Sequence, residues 1–332
     1  MIQGLPSPYN FRGQEPQLLP SSIRAAADIR EALICKRRED MKVKTRMRLL
    51  SVSLLLFAAL FCVFSAPSAR AEAQTSPQTE ELYLERGGKK LYGKLYLPED
   101  AVSPLPLVIL SHGLGSNHHI MEPYAEFFSD SGIAAFVFDY IGGSEESLSD
   151  GNMKDMSVLA EAADLSFLLD HFLADARFAE DGIFLFGGSQ GGFISACVAG
   201  KRSADAAGLI LLYPAFNLQD ICRELAAQGE IPDNVTIGEH VVGRVYVEDM
   251  LTLDIYQVMA QYTGPALLFH GTDDPYVPPD YSRRAADILG AELIVVEGAG
   301  HGFTGGDMEQ VARRSVDFVR DVLSAQSFSA AA

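Results

Sequence analysis

The residues best placed to do chemistry are Gly187-Gly188-Ser189-Gln190-Gly191, directly after the apolar run Ile183-Phe184-Leu185-Phe186. A serine flanked by glycines two residues away on each side, between a strand-like run and a helical stretch, suits a tight strand-to-helix turn. Such a turn lifts the hydroxyl clear of the sheet. It also places it at a helix N-terminus, where the dipole favours developing negative charge. That is the setting of a nucleophile, and a nucleophilic hydroxyl needs a base and a group to orient that base. His301, in Gly298-Ala299-Gly300-His301-Gly302-Phe303, follows the apolar run Leu293–Val296 and has glycines on both sides. The segment His270-Gly271-Thr272-Asp273-Asp274-Pro275 offers two carboxylates. Asp274 precedes Pro275 in the spacing H-G-x-x-D-x-x-V-P and is preferred over Asp273. Ser189, Asp274 and His301 are therefore expected to be nucleophile, acid and base.

A second turn, Ser111-His112-Gly113-Leu114-Gly115, closes the apolar run Leu105–Leu110. A His-Gly turn after an early strand supplies one backbone N–H to an oxyanion hole. By position that donor is Leu114, and Gln190 supplies the other. His112 is expected to brace the turn rather than act as the base. His118 and His119 are adjacent and lack an accompanying carboxylate cluster, so no metal site is expected. One of the two is expected at the pocket mouth.

These residues need elements to position them. Glu81–Tyr83 and Leu91–Leu97 flank Gly87-Gly88 as an opening hairpin. Beyond it, Leu105–Leu110, Ile133–Phe138, Ile183–Phe186, Leu209–Leu212, Ala266–Phe269 and Leu293–Val296 are almost wholly apolar, as strands covered on both faces require. Amphipathic stretches near 119–130, 155–174, 191–200, 279–289 and 306–324 separate them. This alternation predicts a mostly parallel, doubly wound α/β sheet. Only from Phe216 to about Met259 does the rhythm break. A structureless loop of that length is improbable in a compact domain, so residues 216–259 are expected to form a helical or mixed insertion, a lid over the sheet.

The chain order Ser189, Asp274, His301 is that of the α/β-hydrolases, and the sequence resembles that superfamily. More narrowly, it resembles the bacterial cinnamoyl (feruloyl) esterase group over roughly residues 80–325. The narrower likeness rests on Phe138-Asp139-Tyr140-Ile141-Gly142-Gly143-Ser144, on Ser149-Asp150-Gly151 and on Asp155-Met156-Ser157-Val158-Leu159. The resemblance implies an α/β-hydrolase fold with an inserted lid, ester hydrolysis on a small-molecule substrate and no cofactor. It leaves the acyl group open, short or hydroxycinnamoyl. Tyr246 and several lid acids are expected to meet a phenolic acyl group. One departure is Gly188, where relatives often carry His or Glu. The competing readings are a peptidase or a lipase on the same fold and, of another class, a non-catalytic binding protein on a hydrolase scaffold.

Composition bounds the rest. The 332 residues carry 48% apolar and 21% charged residues and a net charge of −18. Residues 1–71 hold 11 of the 26 Lys and Arg but only 5 of the 44 Asp and Glu, which leaves the remainder at −24. A surface that acidic excludes nucleic acid and anionic lipid as partners. Lys42, Lys44, Arg46 and Arg48 precede the uncharged run Leu49–Phe64, and Ala69-Arg70-Ala71 closes it. This is the three-part grammar of a secretory signal over 41–71, and the protein is expected to be secreted or periplasmic. The alternative is an uncleaved membrane anchor at 49–69, the one route by which a membrane enters. Residues 1–40 read as an upstream extension with translation starting at Met41, residues 72–79 as a linker and residues 326–332 as a disordered tail. Of Cys35, Cys62, Cys197 and Cys222, the last two follow the leader and allow one disulfide at most.

Overall fold

The computed structural model describes residues 78–100 and 102–330. An eight-stranded sheet runs in the order β1-β2-β4-β3-β5-β6-β9-β10. The strands are β1 (Gln78–Arg86), β2 (Lys89–Leu97), β3 (Leu105–Ser111), β4 (Ala134–Phe138), β5 (Phe178–Gly188), β6 (Gly208–Leu212), β9 (Ala266–Gly271) and β10 (Glu292–Val296). Only β2 runs against the others, pairing antiparallel with both β1 and β4. The remaining pairs are parallel. The parallel strands are the apolar runs, and β4 and β6 are buried at every position, because helices cover both faces.

On one face lie α1 (Glu122–Asp130) and α8 (Gly305–Ala330), packing Phe128 and Val319 against Val108, Phe184 and Phe186. On the other lie α2 (Val158–Leu173), α3 (Gln190–Lys201) and α7 (Asp280–Leu289), with Leu165, Phe193 and Ala285 against Ile109 and Leu185. Local chemistry sets several helix ends. Pro123 stands in the first turn of α1, where its missing N–H is harmless. Gly290 ends α7 in the left-handed conformation, at φ 60°.

The insertion between β6 and β9 holds α4 (Leu218–Ala227), the small antiparallel hairpin β7 (Asn234–Ile237) and β8 (His240–Gly243), then α5 (Arg244–Leu251) and α6 (Ile255–Met259). It is tied down through the D-M-S-V-L segment. Ser157 caps α2, its Oγ accepting from Ala160 N–H at 3.1 Å, and the same hydroxyl donates to Asp249 on α5.

Several boundaries differ from those expected; β5 runs from Phe178 to Gly188 rather than from Ile183 to Phe186. α8 runs to residue 330, through the stretch expected to be disordered. No glycine or proline interrupts it, and Gln326 donates to the carbonyl of Asp181 at 3.2 Å. β1 starts at Gln78, inside the expected linker. The expected extension and signal, and residues 72–77 of the linker, lie outside the described residues.

Ser157→Ala removes both a helix cap and the lid tether. It is expected to cost about 1–3 kcal/mol in denaturant unfolding. A loss under a few tenths would show that the hydroxyl does neither.

Candidate active site

β5 ends at Gly188 and α3 begins at Gln190, so Ser189 alone makes the turn, at φ 54° and ψ −121°. For a residue with a Cβ this is an unfavourable backbone. The turn is possible because glycines let neighbouring segments of the chain come very close. A Cβ on Gly187 would stand 2.3 Å from the carbonyl oxygen of Gly191, and one on Gly191 would stand 2.2 Å from that of Ser111. Ser189 N–H donates to Leu212 O at 3.0 Å, which fastens the turn to β6.

Three side chains far apart in sequence meet here. His301 Nε2 lies 2.8 Å from Ser189 Oγ, and its Nδ1 lies 2.8 Å from Asp274 Oδ2. A carboxylate only accepts, so Nδ1 carries the proton and Nε2 accepts from the serine hydroxyl. Asp274 is held from the other side as well. Its Oδ1 accepts from the N–H groups of Tyr276 and Val277, each at 2.9 Å. Burial opposes its charge, but the hydrogen bonds from His270, His301, Val277 and Tyr276 prevail and hold the carboxyl well below its ordinary value. Asp273 instead faces solvent and accepts from Thr272.

His270 was not anticipated from sequence, beyond its presence in the motif. It is fully buried. Its Nδ1 accepts from Ser282 Oγ at 2.7 Å, while its Nε2 donates to Val277 O at 2.9 Å and lies 3.2 Å from Asp274 Oδ2. It thereby clamps the loop that carries the carboxylate.

The turn Ser111–Gly115, expected to supply an oxyanion donor, lies alongside. A Cβ on Gly113 would be 3.5 Å from Ser189 Oγ, so the backbone leading to Leu114 passes beside the hydroxyl. Gln190 opens α3, where an N–H has no carbonyl one turn back to meet. His112 is buried, donates from Nδ1 to Gly113 O at 2.8 Å and accepts from Tyr140 N–H at 3.2 Å. Burial lowers its pKa and keeps it neutral, which suits both bonds.

A cavity of about 400 Å³ opens over Ser189 and His301. Leu114, Ile120, Met121, Leu218, Ile221 and Ile237 give it an apolar wall, with Asn217, Glu239 and His240 among its polar groups. Neither His118 nor His119 lines it, contrary to the expectation for the pocket mouth. His118 turns inward to Asp139, at 2.8 Å, and exposed His119 pairs with Glu122 at 2.9 Å. Those two histidines and Glu122 bring ligand-type atoms within 4.8 Å of one another, but the Lys94 ammonium already holds Glu122 at 2.8 Å. Cys197 and Cys222 are buried free thiols.

Tyr246 is also absent from the cavity, contrary to expectation. It is fully buried, and its hydroxyl donates to Gln190 Oε1 at 2.6 Å; Gln190 Nε2 in turn donates to Glu161 Oε2 at 2.7 Å. Sequence shows only that Tyr246 is in the insertion. Which way it faces depends on how α5 lies against α2.

Residues 103–248 match a family model described as serine aminopeptidase, S33, and residues 253–321 one described as TAP-like protein. Est1E from Butyrivibrio proteoclasticus with ferulic acid bound superimposes with a TM-score of 0.66 at 23% identity, covering 73% of this chain and 99% of that one. Mouse alpha/beta hydrolase domain-containing protein 10 gives 0.58 at 22% identity, covering 74% and 99%. A curated relative, the probable isoprenylcysteine alpha-carbonyl methylesterase ICMEL1 of Arabidopsis thaliana, is 25% identical over 232 residues, 62% of this chain. The chain spans 47% of that relative's length. The fold is thus that of the α/β-hydrolases. Within them it resembles the feruloyl esterase group.

Glu161 supplies a pH test of the buried network. Burial pushes its carboxyl up to about 8 from 4.5; the Gln190 amide works against the rise and Asp164 adds to it. Between these values the folded chain binds the extra proton, so this group makes stability fall as pH rises from 4.5 to 8. Glu161→Gln removes that loss. Relative to wild type it should gain on the order of a few kcal/mol between about pH 5 and pH 8. Unfolding curves at stepped pH measure this, and a constant difference across the range would refute it.

Proposed function

We propose that this chain is a serine hydrolase that cleaves carboxylic esters through an acyl-enzyme. The observation that carries the reading is the continuous hydrogen-bonded line from Ser189 through His301 to Asp274. Ser189 Oγ attacks the ester carbonyl carbon as its proton passes to His301 Nε2, and Asp274 orients and stabilises the imidazolium. The oxyanion meets the N–H groups of Leu114 and Gln190, each worth on the order of 3 kcal/mol. Collapse breaks the carbon–oxygen bond to the alcohol, which leaves with the proton from His301. Water then gives a proton to His301, attacks the acyl carbon and releases the acid, and the serine regains its proton.

The cavity supports an acyl group with an apolar body. Asn217 Nδ2 donates to Tyr276 O at 2.9 Å, while its buried Oδ1 has no hydrogen-bond partner among the described residues. If the Asn217 amide turned toward the cavity, a donor on the acyl group, such as the phenol of a hydroxycinnamoyl group, would satisfy it. The ferulic acid held by Est1E favours the same class. The match of residues 103–248 to a serine aminopeptidase model favours a peptidase as the second reading.

Ser189→Ala is expected to cut turnover of p-nitrophenyl butyrate by about 10⁴-fold or more, with circular dichroism unchanged. Undiminished turnover would end the assignment. Parallel rates on butyryl, feruloyl and long-chain esters and on peptide amides separate esterase, lipase and peptidase. From the leader's grammar we also propose export, with cleavage after Ala71. N-terminal sequencing of the mature chain checks this, and a mature protein retaining 49–69 would favour the anchor.

A further inference from the structure

We propose that Tyr213 is a positioning residue for His301, its ring seated in the space that Gly188 leaves beside the nucleophile. This rests on the serine-hydrolase reading above and adds to it a residue outside the three-residue line.

Among the described residues, only two that are not glycine adopt positive φ, Ser189 at 54° and Tyr213 at 37°. The first is the nucleophile turn. Nothing about the end of β6 demands the second, since the next residue, Pro214, disfavours helical backbone before it but asks only for an extended one. A backbone this unfavourable persists where its surroundings enforce it and where the side chain's placement matters. Here Tyr213 N–H donates to Phe269 O at 2.7 Å, and Ala215 N–H donates to Ser189 O at 2.9 Å. The segment is thus pinned between β9 and the nucleophile turn.

The bend turns the ring onto the base. Tyr213 and His301 lie edge to face with centroids 4.7 Å apart, and Phe303 backs the same tyrosine ring at 5.2 Å. Tyr276 also touches His301, at 5.5 Å, but it is 64% exposed, whereas Tyr213 is buried. The buried ring is therefore the firmer contact on the imidazole. His301 needs one, because its loop carries positive φ at both Gly298 and Gly302 and constrains the side chain little.

The glycine before the nucleophile fits the same arrangement. A Cβ on Gly188 would stand 3.3 Å from the Tyr213 hydroxyl oxygen, 3.5 Å from its Cε2 and 3.0 Å from Met121 Cε. A Cβ there would crowd Met121 and the tyrosine hydroxyl and touch the ring edge, and a larger side chain would have to displace one of them. A bare Gly188 and a bent Tyr213 are two halves of one packing solution.

Three variants test this: Tyr213→Leu, Tyr213→Phe and Gly188→Val. Each is assayed for kcat and KM on p-nitrophenyl butyrate, for the rate of fluorophosphonate labelling and for melting temperature. Tyr213→Leu should lower kcat and the labelling rate by about 10- to 100-fold with KM changed far less, as a displaced base would. Tyr213→Phe keeps the ring and should stay within about threefold of wild type. Gly188→Val should show the same kcat defect by pushing an intact ring away, and it provides the reading if Tyr213→Leu does not fold. A folded Tyr213→Leu or Gly188→Val with wild-type kcat would overturn the proposal, even with a lowered melting temperature. So would a Tyr213→Phe as impaired as Tyr213→Leu, since the hydroxyl would then be the working group. Failure of wild type itself to label would instead overturn the serine-hydrolase reading.

Discussion

The structure depends most on the backbone of one residue. At φ 54° and ψ −121°, Ser189 carries strain on the order of 1–3 kcal/mol. What enforces it is the approach of α3 to the end of β3, close enough that Gly191 would press any Cβ into the Ser111 carbonyl. That approach requires a rigid sheet beneath. β5 supplies it from the middle of the sheet, paired on both sides and covered on both faces. Interiors packed at crystal-like density deform little, so the strain has nowhere to relax.

Polar groups around this turn are fixed in the same spirit, each held from more than one side. Asp274 is gripped by His301 in front, by two backbone N–H groups and by His270 behind. Its carboxylate cannot swing, so the imidazole it orients always meets a fixed hydrogen-bond partner. Beneath the nucleophile, the Tyr246–Gln190–Glu161 line joins an insertion helix, the first residue of α3 and α2. In a dry interior an unmatched member of such a line is costly. The insertion is consequently fastened to Gln190, whose N–H we propose as an oxyanion donor. The Ser157–Asp249 bond fastens the same helix a second time.

Much of this was legible in the residues themselves, and for definite reasons. Strands buried on both faces must be apolar, so the core strands announced themselves, most at nearly their true limits, though β5 starts at Phe178 through a half-exposed stretch rather than at Ile183. The glycines around Ser189 and His301 record backbone positions that few other residues tolerate. Where expectation and structure part, the cause is orientation. Tyr246 was expected in the pocket and is under it. One of His118 and His119 was expected at the mouth, yet the first turns in to Asp139 and the second out to solvent. Residues 326–330 carry no periodic signal strong enough to announce a helix, but a hydrogen bond to a distant carbonyl keeps them in one.

The sequence by itself determined the strand–helix alternation, the nucleophile turn and the roster of candidate groups, because these follow from side-chain polarity and backbone freedom within a few residues. The spacing around Pro275 already preferred Asp274 over Asp273, but tertiary structure alone decided which histidine braces the loop behind it and that Tyr213 rests on the imidazole. Those outcomes depend on how β6, β9 and β10 stand side by side. A side chain's direction relative to a strand hundreds of atoms away along the chain is set by packing, not by its neighbours in sequence.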